Sequence, residues 1–200
     1  MSGKAGKETC SALSVRGDDF YASPPEAVAA FLRAEAGRIP GVIWEPACGD
    51  GAIVLPLRAA GHRVIATDLV DRGCPDSRAG EDFLMPFPVP AGVEGIVTNP
   101  PFKLAQAFVD RALDVAPYVA MLLRLAFLEG AERKPWFEAG ALARVHVSSR
   151  RLPMMHRNGW DGPKTGSAIA FAWFVWERAH CGAAEIRWFD WREGLPCAAE

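Results

Sequence analysis

Four short groups of residues have the types and spacing to do chemistry, and they follow one another along the chain. The first is Glu45-Pro46-Ala47-Cys48-Gly49-Asp50-Gly51. Its glycines let backbone approach a ligand with no side chain in the way. The helix expected behind them offers free N–H groups to a carboxylate or phosphate. A dinucleotide-binding turn would carry Gly or Ala at position 54, where this chain has Val54, which disfavours NAD. The second is Asp68, 19 residues beyond Gly49, where an acid can accept both hydroxyls of a ribose. The third is Asp82-Phe83. A carboxylate there can bind an adenine amino group while the ring packs on the base, although a surface acid beside a core aromatic would read the same. The fourth is Asn99-Pro100-Pro101-Phe102, in which the prolines end a strand and stiffen the turn around a neutral acceptor and an aromatic face.

The elements that must position these groups follow from apolar periodicity and from Gly and Pro punctuation. A helix is expected over 27–36, a buried strand over 41–44 ending at Glu45-Pro46, a helix over 51–60 and a strand over 63–67 ending at Asp68. A Gly-, Pro- and Asp-rich loop leads to Asp82-Phe83. Further elements are a strand over 95–98 ending at the Asn-Pro-Pro-Phe turn, a helix over 103–115, a strand over 118–123, a mostly helical stretch over 126–139 and a strand over 143–147. An apolar aromatic run over 167–176 reads as a central strand, and 185–189 as an edge strand. Strands alternating with helices imply an α/β fold, a mostly parallel sheet with helices on both faces. With no helix between them, the last two strands are expected to pair antiparallel. All four groups then fall outside the carboxyl ends of strands, where such sheets bind ligands.

Composition narrows the class. Two hundred residues, half of them apolar and 23% charged, suit one globular domain (18–200) behind a polar, flexible arm (1–17). No run of 18 apolar residues suggests a membrane span, and the N-terminal lysines are not followed by an apolar signal segment, so a cytoplasmic location is expected. Five scattered cysteines, without Cys-x-x-Cys, read as free thiols, and no metal is expected. The formal net charge is -2, but a run from Arg144 to Lys164 is basic: Arg144, Arg150, Arg151, Arg157 and Lys164, with His146 and His156, opposed only by Asp161. It suits either a solvated loop or an edge that contacts phosphates.

At these motifs the sequence resembles the class I S-adenosylmethionine-dependent methyltransferases, and specifically the amino-methyltransferases with an (Asn/Asp/Ser)-Pro-Pro-(Tyr/Phe) motif. The resemblance runs from about Phe20 to Trp176 and implies a Rossmann-like methyltransferase fold with a C-terminal antiparallel strand. It implies that Glu45, Pro46, Cys48, Gly49 and Gly51 hold the methionine part of S-adenosylmethionine, Asp68 its ribose, and Asp82 with Phe83 its adenine. Tyr21, Ser23 and Pro24 lie in a segment, Phe20 to Pro25, that in adenine methyltransferases touches the methionine end. Asn99 and the Pro100 carbonyl would accept hydrogen bonds from the target amine, Pro101 would stiffen the turn, and Phe102 would stack on the target base. An aromatic amine is a poor nucleophile because its lone pair is delocalised. Two fixed acceptors draw it toward a tetrahedral form as positive charge develops and hold it in line for attack.

The segments His156-Arg157-Asn158-Gly159-Trp160, Lys164-Thr165-Gly166-Ser167 and Trp173-Phe174-Val175-Trp176 look like those of small phage- and prophage-type DNA adenine methyltransferases. The substrate expected is adenine in DNA, ahead of an amino group on an RNA base and of a protein glutamine. No separate target-recognition domain is expected, since 24 residues follow Trp176. What selectivity there is would come from the loop over 148–166, while Arg150, Arg151, Arg157 and Lys164 would contact phosphates of any sequence alike. Trp160 is either a wedge beside a flipped base or a packed core residue.

Overall fold

A computed structural model of the chain describes residues 21–86, 88–152, 154–156 and 169–193. The arm expected over 1–17 and the site candidates Arg157, Trp160 and Lys164 lie outside the described residues. In chain order the elements are β1 (Tyr21–Ala22), α1 (Pro25–Ala34), β2 (Val42–Glu45), α2 (Val54–Ala59), β3 (Arg63–Asp68), β4 (Ser77–Ala79) and β5 (Gly95–Thr98). They continue with α3 (Ala105–Val115), β6 (Tyr118–Arg124), α4 (Lys134–Ala139), β7 (Leu142–Ser148), β8 (Met155–His156), β9 (Phe171–Glu177) and β10 (Glu185–Phe189).

Eight strands form one sheet in the order β4-β3-β2-β5-β6-β9-β7-β10. All run parallel except β9, which is inserted antiparallel between β6 and β7. Alternate residues feed two cores, as the two-residue period of a strand requires. Ala120, Leu122, Trp173 and Val175 pack with α1 and α2 on one face. Val119, Met121, Leu123, Phe174 and Trp176 pack with α3 on the other, where Trp136 and Phe137 of α4 also press. Trp173 locks α1 down: it stacks on Phe31 at 4.2 Å, and its indole donates to the Ala27 carbonyl at 3.3 Å.

The expected mostly parallel sheet with one late antiparallel strand is present, but several details differ. The last two strands do run in opposite directions, yet they do not pair. Both edges of β9 are taken by β6 and β7, so β10 adds to the free edge of β7, in parallel. The helix expected over 51–60 starts only at Val54, because Gly51 sits at φ +91, outside helical space. The stretch over 126–139 breaks into two 3-10 turns and a six-residue helix that begins around Pro135. The aromatic strand begins at Phe171, not at 167. Three short strands were not visible in the sequence: β4, and the pair β1–β8, which ties Tyr21 to His156 and Ala22 to Met155.

Candidate active site

The carboxyl edge of the sheet gathers the motifs. Ala22, Ser23, Glu45, Ala47, Cys48, Gly49, Asp50, Ala52, Ile53 and Asn99 line one open cleft there. Its floor is the turn after β2, whose Gly49 and Gly51 have φ +55 and +91, values that L side chains rarely adopt. Two bonds fix that turn to β3. The Cys48 N–H donates to the Thr67 carbonyl at 3.0 Å, and the Gly49 N–H donates to Asp68 Oδ2 at 2.8 Å. Asp68 also accepts from the Val70 N–H at 2.9 Å, so its carboxylate shapes the loops around it. Gly51 has a packing role: an added Cβ would meet Cys74 Sγ at 3.2 Å. On that side the space is taken by a neighbouring side chain.

Glu45 is buried at 1% exposure at the end of β2. The Thr98 hydroxyl donates to Oε1 at 3.0 Å, while Oε2 has no hydrogen-bond partner among the described residues. Burial pushes this carboxyl well above the usual carboxylate range, and the Asp68 charge adds to the push. The hydrogen bonds from Thr98 and the Asn99 backbone only partly offset it. The neighbouring Cys48 thiol is likewise pushed up by burial, with Cys74 beside it, so it is not a thiolate nucleophile.

Asn99 stands one residue past β5, and its Nδ2 donates to Ser23 Oγ at 3.1 Å. Because the amide is planar, that bond also fixes the direction of the carbonyl oxygen. Ser23 is itself buried, just before Pro24, which stands at the N-cap of α1 and is also buried. The segment expected near the glycine turn thus meets the Asn-Pro-Pro turn directly. Tyr21 enters this edge through β1. Pro100 is buried, and Pro101 leads into a short 3-10 turn, Phe102–Leu104. The half-buried Phe102 packs on Phe171 at 5.3 Å and under the Arg124 guanidinium at 5.0 Å.

Other candidates sit apart. The Glu81 N–H donates to the Asp68 carbonyl at 3.1 Å, which keeps Asp82 near the same edge, but Asp82 Oδ1 caps its own turn at the Leu84 N–H. Phe83 is buried between Trp44 and Phe108, with ring centroids 5.1 and 5.0 Å away, and behaves as a core residue. The basic run is also less basic than it looked. Arg144 and His146 are buried on Glu35, and Arg150 pairs at 2.5 Å with Asp190, a counter-ion from another part of the chain. Arg151 is exposed. Leu152 and Met154 anchor the start of the loop in the core. Sequence reasoning missed Thr98, the partner of Glu45; its place directly before Asn99 was the available signal. Among the described residues no group of His, Cys, Asp and Glu could hold a metal, and no helix is long and apolar enough to cross a membrane.

Strand order, a single inserted antiparallel strand and helices on both faces define a Rossmann-like methyltransferase fold. No protein-family model matches the chain, and no curated protein matches its sequence. Solved structures match its fold. The methyltransferase subunit of a type I restriction-modification system from Streptococcus thermophilus does so with a TM-score of 0.61 at 17% identity, over 86% of this chain and 47% of that one. The chain therefore spans about half the length of that subunit. The 23S rRNA methyltransferase ErmE matches with a TM-score of 0.51 at 19% identity, over 80% of this chain and 71% of that one. Magnesium protoporphyrin IX methyltransferase from Synechocystis PCC 6803, solved with bound S-adenosylmethionine, matches with a TM-score of 0.51 at 12% identity, over 78% of each chain.

Proposed function

We propose that the protein transfers a methyl group from S-adenosylmethionine to the exocyclic amino group of adenine in DNA, with low sequence selectivity. The observation that carries this reading is the meeting of Asn99 with Ser23 in the cleft that Glu45 and the glycine turn line. The residues present fit the cofactor. The open oxygen of buried Glu45 suits an ammonium group, and Gly49, at positive φ in the turn that lines the cleft, puts no side chain there. Asp68 keeps acceptor capacity for ribose hydroxyls beyond its two backbone bonds. Bound there, S-adenosylmethionine supplies an electrophilic methyl group.

The chain's own residues do the rest. Asn99 accepts a hydrogen bond from the target amine through a carbonyl that Ser23 holds in place, at no reorganisation cost when charge develops. A neutral acceptor needs no tuned pKa. Pro100 and Pro101 keep the turn from relaxing, and Phe102 offers a ring for a base taken out of its stack. DNA is preferred on the type I restriction-modification neighbour and on the resemblance of the motifs. The RNA reading draws on a different observation: the chain covers 71% of the rRNA methyltransferase and only 47% of the restriction-modification subunit.

The test is labelled-methyl transfer to DNA, RNA and a release factor side by side, followed by nucleoside mass spectrometry. N6-methyladenine in DNA is the expected product, and long-read mapping on a treated plasmid should show marks set by a few neighbouring bases. Label in RNA alone would move the protein to RNA methylation, and marks at one strict palindrome would overturn low selectivity.

A further inference from the structure

Arg124 is the last residue of β6 and the exposed end of a strand whose six preceding residues are buried. Thr98, at the end of β5, is in register with Met121, so β6 runs three residues further and overhangs the Asn-Pro-Pro turn. Its guanidinium carbon lies 5.0 Å from the centre of the Phe102 ring. Phe171, its cross-strand partner on β9, packs on the same ring. The Leu125 N–H donates to the Ala170 carbonyl at 2.8 Å and closes the backbone around this corner. Arg124 makes no ion pair among the described residues, whereas Arg150 has Asp190 and Arg144 has Glu35. A guanidinium with no carboxylate partner among the described residues, beside the aromatic ring of the Asn-Pro-Pro-Phe turn, is placed for an anion that arrives with a planar group.

We propose that Arg124 is a substrate-binding residue. In the free protein its guanidinium covers the Phe102 ring. When a target base stacks on that ring, Arg124 yields the face and binds a backbone phosphate of the same strand. This rests on the nucleic-acid reading of the site. The exchange is favourable because a base stacks on an aromatic ring more strongly than an exposed guanidinium does. Its planar, weakly hydrated charge suits both partners, the ring first and the phosphate after, where an ammonium suits only the second.

The experiment compares wild type, Arg124→Gln and Arg124→Lys on a fluorescent adenine-containing oligodeoxynucleotide, by anisotropy over a salt series and by steady-state methyl transfer. Arg124→Gln should raise KM about tenfold or more, the loss expected of a charge-assisted contact, while kcat stays within about threefold. Its log Kd against log salt should lose about 0.7–0.9 of slope, one phosphate's share. Arg124→Lys should recover the slope and only part of the affinity. Cofactor affinity and melting temperature should be unchanged in both. Wild-type KM and slope in Arg124→Gln would overturn the inference and leave the nucleic-acid reading standing. If wild type itself methylates a protein and no nucleic acid, both fall together.

Discussion

Two glutamates, ten residues apart in the sequence, are equally buried and could hardly be more different. Glu35, at 0% exposure, ends α1 on the amino side of the sheet; Glu45, at 1%, ends β2 on the carboxyl side. Glu35 accepts from Arg144 Nε at 2.7 Å, Arg144 Nη2 at 2.9 Å, His146 Nε2 at 2.7 Å and the Tyr118 hydroxyl at 3.2 Å. Burial alone would push its carboxyl up, but the bonds from His146 and Arg144 outweigh burial and hold it down at about 2. Glu45 has the same burial without a cation, and its carboxyl is pushed the other way. Burial of an acid therefore decides little by itself; the donors around it decide. A carboxylate whose acceptor sites are filled by the protein is architecture, here tying α1 to β6 and β7. A carboxyl with an open oxygen in a cleft is one that a ligand is expected to complete.

The sharpest way to break this contrast is one substitution made at both positions. Glu35→Gln should cost about 1.5–3 kcal/mol of stability in urea unfolding, because it takes the buried carboxylate from Arg144 and leaves only the half-buried Glu177 as its counter-charge. Glu45→Gln should leave stability within about 1 kcal/mol, since it mimics the neutral acid that burial favours. Equal losses at the two sites would remove the distinction. At the carboxyl edge, Asn99→Ala should cut turnover at least ~10²-fold with little change in cofactor affinity, the usual cost of losing a transition-state hydrogen-bond partner. Survival of turnover would reduce the Asn-Pro-Pro-Phe motif to a turn.

Smaller effects sharpen the ligand side. Asp68→Ala should weaken S-adenosylmethionine binding by about 1–3 kcal/mol by calorimetry. Part of that loss belongs to the glycine turn, whose Gly49 N–H would lose its acceptor. Binding an ammonium group requires Glu45 to ionise, so cofactor binding should release a proton and weaken as pH falls. Calorimetry in buffers of different ionisation enthalpy reads that proton directly, and Glu45→Gln should abolish it. Acid also acts on the other glutamate, there through stability. The Glu35 carboxyl is lowered in the folded state, so its contribution is full above the ordinary value of 4.5 and is lost as pH falls toward about 2. The stability gap between wild type and Glu35→Gln should close over that window.

The sequence by itself determined the order of elements and the motif turns. Apolar runs over β2, β3, β5 and β6, with Gly or Pro after β2 and β5, leave few alternatives to parallel strands that end where the motif residues stand. Local chemistry specified Gly49, Gly51, Asn99 and the two prolines, because each acts through its own backbone or its own amide. Partners distant in sequence were decided only by the tertiary structure. Nothing near Arg144 or His146 announces Glu35, more than a hundred residues away, and nothing near Arg150 announces Asp190. A basic stretch read along the chain therefore counted charges that the fold had already buried or paired. Phe83 went to the core for the same reason, since Trp44 and Phe108 reach it from other elements. The place of β10 depended on which strand edge β9 left free. Backbone conformation and periodicity are properties of neighbours in sequence, whereas charge pairing, ring packing and strand adjacency are settled between residues that only folding brings together.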